Sequence, residues 1–220
     1  MAVRATPTNR TAPFPAQAII FDLDGTLTPV ASPWRLVHEA FGLWERAVAY
    51  HDQFFRGEID YETWCRRDVA LWQGRSLAEV RAVLARIQPC PEAIDILKRA
   101  AAHRRADGRP APLMILSSGF DELAGRVLAA AGLSRERVRV VANSLREENG
   151  VVCGAPHVVL GDPVRDKRSH LVRFLADHGV APHDAIALDD REEGDLYADL
   201  GAFIHVRTPA DLRRIEDFLV

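Results

Sequence analysis

The chain has 220 residues, enough for one domain with a substantial core or for a core that carries a small insert. Its formal net charge is −3, and acids and bases are interspersed without a basic stripe, which argues against a nucleic-acid partner. No stretch reaches the roughly 20 apolar residues of a membrane span, so we expect no membrane contact. The three cysteines are widely spaced and match no metal-ligand pattern, which favours a cytoplasmic protein with a small-molecule partner.

Residues 1–16 are rich in Thr, Pro and Ala, contain arginine but no acid, and lack the apolar core of a secretory signal. We predict a disordered tail here, although its composition is also faintly similar to that of an organelle transit peptide. The folded core is expected to begin at residue 17.

The first apolar strand runs directly into two acids, a glycine and two hydroxyls in the segment AIIFDLDGTLT, residues 18–28. In an extended chain, residues two apart point to the same side, so Asp22 and Asp24 can face one site. Open α/β sheets bind ligands at the carboxyl ends of their strands. Two neighbouring carboxylates repel each other unless a cation or a proton relieves them, so this pair indicates chemistry rather than packing.

The stretch after this strand reads as almost entirely helical. Apolar periodicity, glycines and a capping box place helices at 33–41, 43–56, 61–72, 76–87 and 91–103. This is far more chain than one crossover between neighbouring strands needs. We therefore predict an inserted helical cap at 29–103, whose last helix leads back to the core.

Residues 17–28 and 104–220 are predicted to form the core. Short apolar runs predict buried parallel strands at 18–21, 113–116, 138–142, 185–188 and 202–206. Helical patterns alternate with most of them, at 120–131, at 164–178 and after Thr208. Asn149 and Gly150 predict a hairpin, either a flap beside the site or a surface excursion. The fold class is therefore α/β, with a doubly wound parallel sheet and an inserted helical cap.

The segment DLDGTLT after an apolar strand resembles motif one of the haloacid dehalogenase superfamily. The later motifs follow in order: LMILSSGF looks like motif two, Lys167 near a helix start like motif three, and ALDDREEGD like motif four. With cap features such as RGEIDYE, the likeness to the phosphoserine-phosphatase-like branch covers residues 17–206.

This resemblance implies a covalent phosphatase mechanism and a magnesium cofactor. Asp22 would attack phosphorus to form an aspartyl-phosphate, and Asp24 would protonate the leaving oxygen and then activate water. The carboxylates of Asp22 and Asp190 would hold Mg²⁺ together with the backbone carbonyl of Asp24. Asp195 would contact these ligands from outside or act on the ion through water. The presence of an acid at Asp24 argues against a dehalogenase, because a halide leaving group does not need to be protonated. A phosphonate-cleaving relative would need a cap lysine, which residues 29–96 lack.

The resemblance also implies how the phosphoryl group is held. Motif two places the Ser117 hydroxyl against a phosphoryl oxygen, with Gly119 beside the substrate. Ser118 stands where close relatives often carry glycine, so either hydroxyl can fill the role.

Motif three places Lys167 where an ammonium neutralises the nucleophile and clamps the phosphoryl group. Lys98 and Lys167 are the only lysines among the 28 basic residues, which makes a lysine at this position suggestive. Arg165 and Arg168 are close enough in the chain to compete for the role.

Motif four departs from the Gly-Asp-Gly-x-x-Asp of its nearest relatives. This chain has Asp189 and Arg191 in place of the glycines and one additional residue before Asp195. The loop conformation is therefore open, and Asp189 rather than Asp190 can be the metal ligand.

The recognition charges of phosphoserine phosphatases are missing from this chain. Ala31 replaces the glutamate that would hold the substrate ammonium, and Asp68 replaces the cap arginine that would hold the carboxylate. Arg66 or Arg67 could substitute only after about a third of a turn of rotation, so phosphoserine is disfavoured as the main substrate.

Tyr61, Trp64, Asp68 and Trp72 share one face of a predicted cap helix. In one interpretation the aromatics pack the cap bundle and Asp68 sits at its edge. In the other, Asp68 and an aromatic such as Tyr61 face the pocket and favour a cationic leaving group, for example an amino-alcohol phosphate.

The sequence therefore predicts a magnesium-dependent phosphomonoesterase whose helical cap closes over a small phosphorylated metabolite. A phosphotransferase is an alternative, since only the acceptor in the second step differs. A non-catalytic regulatory protein that binds a phosphate ligand is the alternative from another class.

Overall fold

Five parallel strands form the central sheet of the protein. The structure is a computed structural model that describes residues 13–191 and 195–219. In chain order the strands are β1 (Ala18–Phe21), β2 (Leu113–Phe120), β3 (Val138–Asn143), β4 (Glu147–Glu148), β5 (Val151–Val152), β6 (Ala185–Asp189) and β7 (Ala202–His205). The sheet order is β3-β2-β1-β6-β7, and β4 and β5 form a separate antiparallel hairpin. The chain moves from β1 to one side of the sheet and later to the other, which confirms the predicted doubly wound arrangement.

Helices alternate with the strands and fill the insert. They are α1 (Pro33–Ala40), α2 (Trp44–Phe55), α3 (Tyr61–Leu71), α4 (Leu77–Leu84), α5 (Pro91–Ala102), α6 (Asp121–Ala131) and α7 (Pro163–Asp177). Short 3-10 segments occur at Pro182–Asp184 and at Pro209–Phe218, so the last predicted helix is a 3-10 segment. Among the described residues, no helix combines the length and the apolar character that crossing a membrane requires.

The side chains of the sheet alternate between two apolar layers. On β1, Ile19 and Phe21 belong to the layer formed with α5, α6 and the C-terminal 3-10 segment, whereas Ala18 and Ile20 pack in the layer formed with α7. All four side chains are fully buried. Burial on both faces explains why the central strands are continuous apolar runs rather than alternating patterns.

Helix α5 and Phe14 lie near the predicted limits of the core. Helix α5 is the last helix of the insert predicted at 29–103, and it packs against α6 and the C-terminal 3-10 segment. An amphipathic pattern shows that a helix buries one face but not which surface covers that face. Of the predicted tail, residues 1–12 lie outside the described residues, whereas Phe14 is buried and meets Phe218 edge to face. Burial of this ring extends the ordered core ahead of residue 17.

The hairpin of β4 and β5 joins the core to the cap. Its turn places Asn149 and Gly150 at φ angles of 54° and 79°, the left-handed region that a two-residue hairpin turn favours. The amide of Leu77 donates to the carbonyl of Gly150, and the amide of Val152 donates to the carbonyl of Arg75. The hairpin that follows β3 is therefore paired with the cap segment that leads into α4.

Candidate active site

The carboxyl ends of the central strands open into a cleft of about 940 Å³ between the core and the cap helices α1–α3. Its lining includes all the residues predicted to be catalytic: Asp22 and Asp24 after β1, Ser117 in β2 and Lys167 on α7. All of these side chains are buried. Strand order explains the convergence, because β1 lies beside both β2 and β6 and their ends share one edge of the sheet.

Lys167 supplies a positive charge at the centre of this cleft. It lies in the second turn of α7, whose start is set by Asp162 as the N-cap and by Pro163 in the first turn. Its Nζ lies 3.2 Å from Asp22 Oδ1 and 3.9 Å from Asp189 Oδ2, and the side chain is 2% exposed. An ammonium in this position stabilises two carboxylates that burial alone would disfavour.

The two arginines that compete with Lys167 in the sequence have other partners. The Arg165 side chain is 77% exposed and lies near Asp166. Arg168 donates to the carboxylate of Asp199 at the surface. Of these three basic residues, Lys167 is the one that lies against Asp22.

Asp24 lies in a different environment from Asp22. Ser117 Oγ donates to Asp24 Oδ2 over 3.1 Å and accepts from the Gly119 amide over 2.9 Å, so Ser117 rather than Ser118 contacts this carboxyl group. Burial raises the pKa of Asp24 to about 7, against the opposing effect of the Ser117 hydrogen bond. Asp24 can therefore hold a proton near neutral pH.

Asp22, Asp189 and Asp190 form an acidic group in which one carboxylate oxygen of each lies within 4.8 Å of the others. Burial raises the pKa of Asp190 to about 6, with Arg191 opposing the shift. Several carboxylates gathered around the single ammonium of Lys167 suit a hard divalent cation that prefers oxygen ligands. The residues present therefore fit a magnesium site.

The structure distinguishes the two adjacent acids of this group. Asp189 Oδ1 accepts from the amide of Arg191 over 2.9 Å, and its Oδ2 accepts from the hydroxyl of Tyr197 over 2.7 Å. The Asp190 side chain is 18% exposed in the cleft. Both carboxylate oxygens of Asp189 accept hydrogen bonds that hold the side chain in place. The Asp190 carboxylate is therefore more available as a metal ligand.

Asp195, predicted to act at the metal, does not belong to this acidic group. It is exposed, and its backbone carbonyl accepts from the Arg168 guanidinium at the surface. The additional residue in motif four lengthens the loop before Asp195. Residues 192–194 of that loop lie outside the described residues.

The cap contacts the site at the backbone carbonyl of Ser118. The Tyr61 hydroxyl donates to this oxygen over 2.9 Å, the Asn143 side-chain amide over 3.0 Å and the Trp34 indole over 3.4 Å. The Asn143 side-chain oxygen in turn accepts from the amide of Val159. Tyr61 thus lines the cleft, as predicted, but its hydroxyl ties the cap to β2. The roles of Asn143 and Trp34 were missed, and a polar residue ending the apolar run VRVVAN was the available signal for Asn143.

Residues of the aromatic face of α3 differ in role: some line the cleft, and one packs in the core. Tyr61, Trp64 and Asp68 line the cleft. Trp72, just after the helix, is fully buried and packs against Trp34 and Phe120. Packing therefore explains Trp72, whereas Asp68 faces the cleft.

The family model for haloacid dehalogenase-like hydrolases matches residues 19–203. The chain belongs to this family. The match spans the core strands and the inserted cap, and it confirms the family and the hydrolase class inferred from the motifs. No curated protein gives a significant match to the chain.

Solved structures with the same fold are similar to this hydrolase at low sequence identity. A phosphoserine phosphatase with a phospho-aspartyl intermediate analogue has a TM-score of 0.70 and 20% identity, over 94% of this chain and 100% of that one. A phosphoserine phosphatase from T. onnurineus has a TM-score of 0.62 and 19% identity, over 99% and 100%. A HAD family hydrolase from Salmonella enterica subsp. enterica serovar Typhi has a TM-score of 0.69 and 22% identity, over 86% of this chain and 62% of that one. The present chain thus spans less than two thirds of the Salmonella chain.

Gly119, predicted to lie beside the substrate, also has a steric reason to be glycine in this hydrolase. A Cβ at this position would collide with the Asp24 carboxylate. We expect Gly119→Ala to displace Asp24 and to lower kcat/KM for phosphate release at least about 100-fold. Gly125→Ala is the matched control, because its nearest neighbour would lie 3.4 Å from the new Cβ. Equal kcat/KM values for the two variants would contradict this role.

Proposed function

We propose that the protein is a magnesium-dependent phosphomonoesterase that acts on a small phosphorylated metabolite through an aspartyl-phosphate intermediate. The observation that carries the proposal is the contrast between the two aspartates after β1. Asp22 lies 3.2 Å from the ammonium of Lys167, whereas Asp24 is buried beside Ser117 with its pKa raised to about 7. One carboxylate is thus stabilised in its charged form and the other can hold a proton, which is the division of roles that ester cleavage needs.

The residues suggest two successive displacements at phosphorus. In the first, an Asp22 oxygen attacks phosphorus as the bond to the leaving oxygen breaks, and Asp24 gives its proton to the departing alcohol. In the second, Asp24 takes a proton from water, whose oxygen attacks phosphorus and releases Asp22 and inorganic phosphate. Lys167 and Ser117 would donate to the phosphoryl oxygens and stabilise their charge in both steps.

Asp22, Asp190 and the backbone carbonyl of Asp24 would hold Mg²⁺, with the Asp189 carboxylate close to them. When bound, the ion neutralises charge on the phosphoryl oxygens and screens the repulsion between nucleophile and substrate. The clustering of carboxylate oxygens around Asp190 supports this assignment.

The metal-free protein is expected to lose thermal stability between pH 5 and pH 8. Burial raises the pKa of Asp24 to about 7 and of Asp190 to about 6, above the ordinary value of 3.8. A carboxyl group whose pKa is raised on folding stabilises the fold while protonated, and this stabilisation is lost as the pH rises through about 6 to 7. Tm in EDTA should therefore fall by on the order of 5–10 °C over this range.

Added Mg²⁺ should restore much of the lost stability at pH 8, because the cation binds the folded state. Asp190→Asn should weaken this Mg²⁺ response. A Tm in EDTA that rises steadily from pH 5 to pH 8 would contradict the expectation, as would an unchanged Mg²⁺ response in the variant.

The fold supports a phosphatase without assigning the substrate. Two of the compared structures are phosphoserine phosphatases. The cleft of this protein is lined by Ala31 and Asp68, the positions where the resemblance would place a glutamate and an arginine. Strict phosphoserine specificity is therefore not part of the proposal.

Phosphate release in MgCl₂ and in EDTA tests the proposal. The substrates are phosphoserine, amino-alcohol phosphates, alkyl phosphates, sugar phosphates and nucleotides. We expect release that depends on Mg²⁺ for at least one ester, with phosphoserine not the best substrate. Loss of ester with transfer of phosphate to an added alcohol would indicate a phosphotransferase instead. Binding of a phosphate ester without turnover of any ester would indicate a non-catalytic protein.

A further inference from the structure

Asp68 is a buried carboxylate that faces the cleft from the cap. It is 4% exposed, and it lines the same cleft as Asp22. Its Oδ1 makes no close hydrogen bond among the described residues, and His38 Nε2 lies 3.4 Å from it. Burial raises the pKa of Asp68, because an isolated negative charge is disfavoured away from water. A cation placed beside Oδ1 would relieve this unfavourable state.

His38 lies nearest to Asp68 but does not cancel its charge. The indole Nε1 of Trp72 donates to His38 Nδ1 over 3.0 Å. An indole nitrogen can only donate, so Nδ1 carries no proton and the imidazole is neutral, with its proton on Nε2. That nitrogen lies 3.4 Å from Asp68 Oδ1. A neutral imidazole can orient the Asp68 carboxylate, but it carries no positive charge with which to neutralise it.

The arginines that line the cleft have acids close to them in the chain. Arg35, Arg165 and Arg191 each lie within salt-bridge distance of such an acid. His51 on α2 is 43% exposed and lies 3.2 Å from a carboxylate oxygen of its neighbour in the chain. Solvent and that neighbour screen His51, so it does not serve as a buried counter-ion.

The cap side of the cleft, which Asp68 also lines, is rich in aromatic rings. The rings that line the cleft belong to Trp34, Trp44, Phe54, Phe55, Tyr61 and Trp64. Phe54 and Trp64 stack with ring centroids 4.7 Å apart. Aromatic faces attract ammonium groups, and a desolvated ammonium gains more from them than an exposed one does. Aromatic rings with one uncancelled carboxylate favour a cation over a neutral or anionic group.

We infer that the cap side of the cleft binds the ammonium group of a phosphorylated amino alcohol, with Asp68 as its counter-ion. This inference rests on the proposed function, since the phosphoryl group would lie at Asp22 and Lys167. A substrate carboxylate near Asp68 would meet a like charge. An amino-alcohol phosphate without a carboxylate therefore fits this cleft better than phosphoserine does.

Matched substrates isolate the ammonium group. Phosphoethanolamine and n-propyl phosphate differ by an ammonium in place of a methyl group, as do 3-aminopropyl phosphate and n-butyl phosphate. The wild type should prefer each amine at least about 10-fold in kcat/KM, and Asp68→Asn should lower this preference about 10- to 100-fold, mainly through KM. Glu45→Gln removes the same charge from an exposed position of the cap outside the cleft lining, and it should keep the preference.

Three results separate this inference from the proposed function. Release from the alkyl phosphates without any amine preference in the wild type would overturn the inference and leave the phosphatase proposal standing. An amine preference that is unchanged in Asp68→Asn would also overturn it. If the wild type hydrolyses no ester, the phosphatase proposal fails, and calorimetry with the same ester pairs in MgCl₂ decides the subsite. Tighter binding of the amine that is lost in Asp68→Asn would support the subsite, and equal or absent binding would overturn it.

Discussion

Asp22→Asn is expected to lower the rate of phosphate release at least about 10⁴-fold, because a carboxamide oxygen carries no charge with which to attack phosphorus. The amide has nearly the shape of the carboxylate and still offers an oxygen to Lys167, so the fold should be retained. Steady-state and single-turnover phosphate release would measure the loss, and circular dichroism would check the fold.

The matched control is Asp177→Asn, which removes a carboxylate from the exposed end of α7 and should leave the rate unchanged. The covalent step can also be observed directly. Acid quenching followed by borohydride reduces an aspartyl-phosphate to homoserine, which mass spectrometry would locate at position 22 of the wild type. A variant as active as the wild type, or a quenched wild type without this product, would contradict nucleophilic attack by Asp22.

The central strand and the residues that follow it could be predicted because their constraints are local. A strand buried on both faces must be apolar throughout, which marks Ala18–Phe21. Strand geometry then places Asp22 and Asp24 on one side, at the sheet edge where Ser117 of β2 and Lys167 of α7 also lie. Each step depends on a few consecutive residues, so the sequence contains the information.

The choice between Asp189 and Asp190 depended on partners that are not local. Adjacent residues at a strand end point in different directions, and spacing alone does not say which direction faces the ligand. The hydroxyl of Tyr197 and the amide of Arg191 hold Asp189, and these contacts exist only once the loop after β6 is folded. The displacement of Asp195 from the acidic group has the same origin, because an added residue changes the path of a loop in a way that a motif does not specify.

The contacts between cap and core were likewise beyond sequence reasoning. The Ser118 carbonyl accepts from Tyr61, Trp34 and Asn143, which come from separate parts of the chain. A backbone acceptor has no residue-specific signature, so nothing in the sequence identifies it as the meeting point. The pairing of the hairpin at Gly150 with the start of α4 is also a backbone contact, and a turn signal predicts the hairpin without predicting its partner.

Lys167→Met is expected to lower kcat/KM for phosphate release at least about 10³-fold and to destabilise the metal-free protein by about 3–5 kcal/mol at pH 8. Methionine keeps the apolar stem of a side chain that is 2% exposed, but it removes the ammonium from Asp22 and Asp189. The carboxylates then repel each other in a buried site without a cation. Urea unfolding in EDTA would measure the loss of stability.

Two further measurements separate this charge effect from a general packing defect. Lowering the pH should reduce the stability difference between Lys167→Met and the wild type, because protonation removes the carboxylate repulsion that the ammonium otherwise relieves. Lys98→Met substitutes the only other lysine, exposed on α5, and should change neither stability nor activity. A stability loss in Lys167→Met that stays constant from pH 8 to pH 5 would indicate lost packing instead, and the electrostatic role of Lys167 would then be wrong.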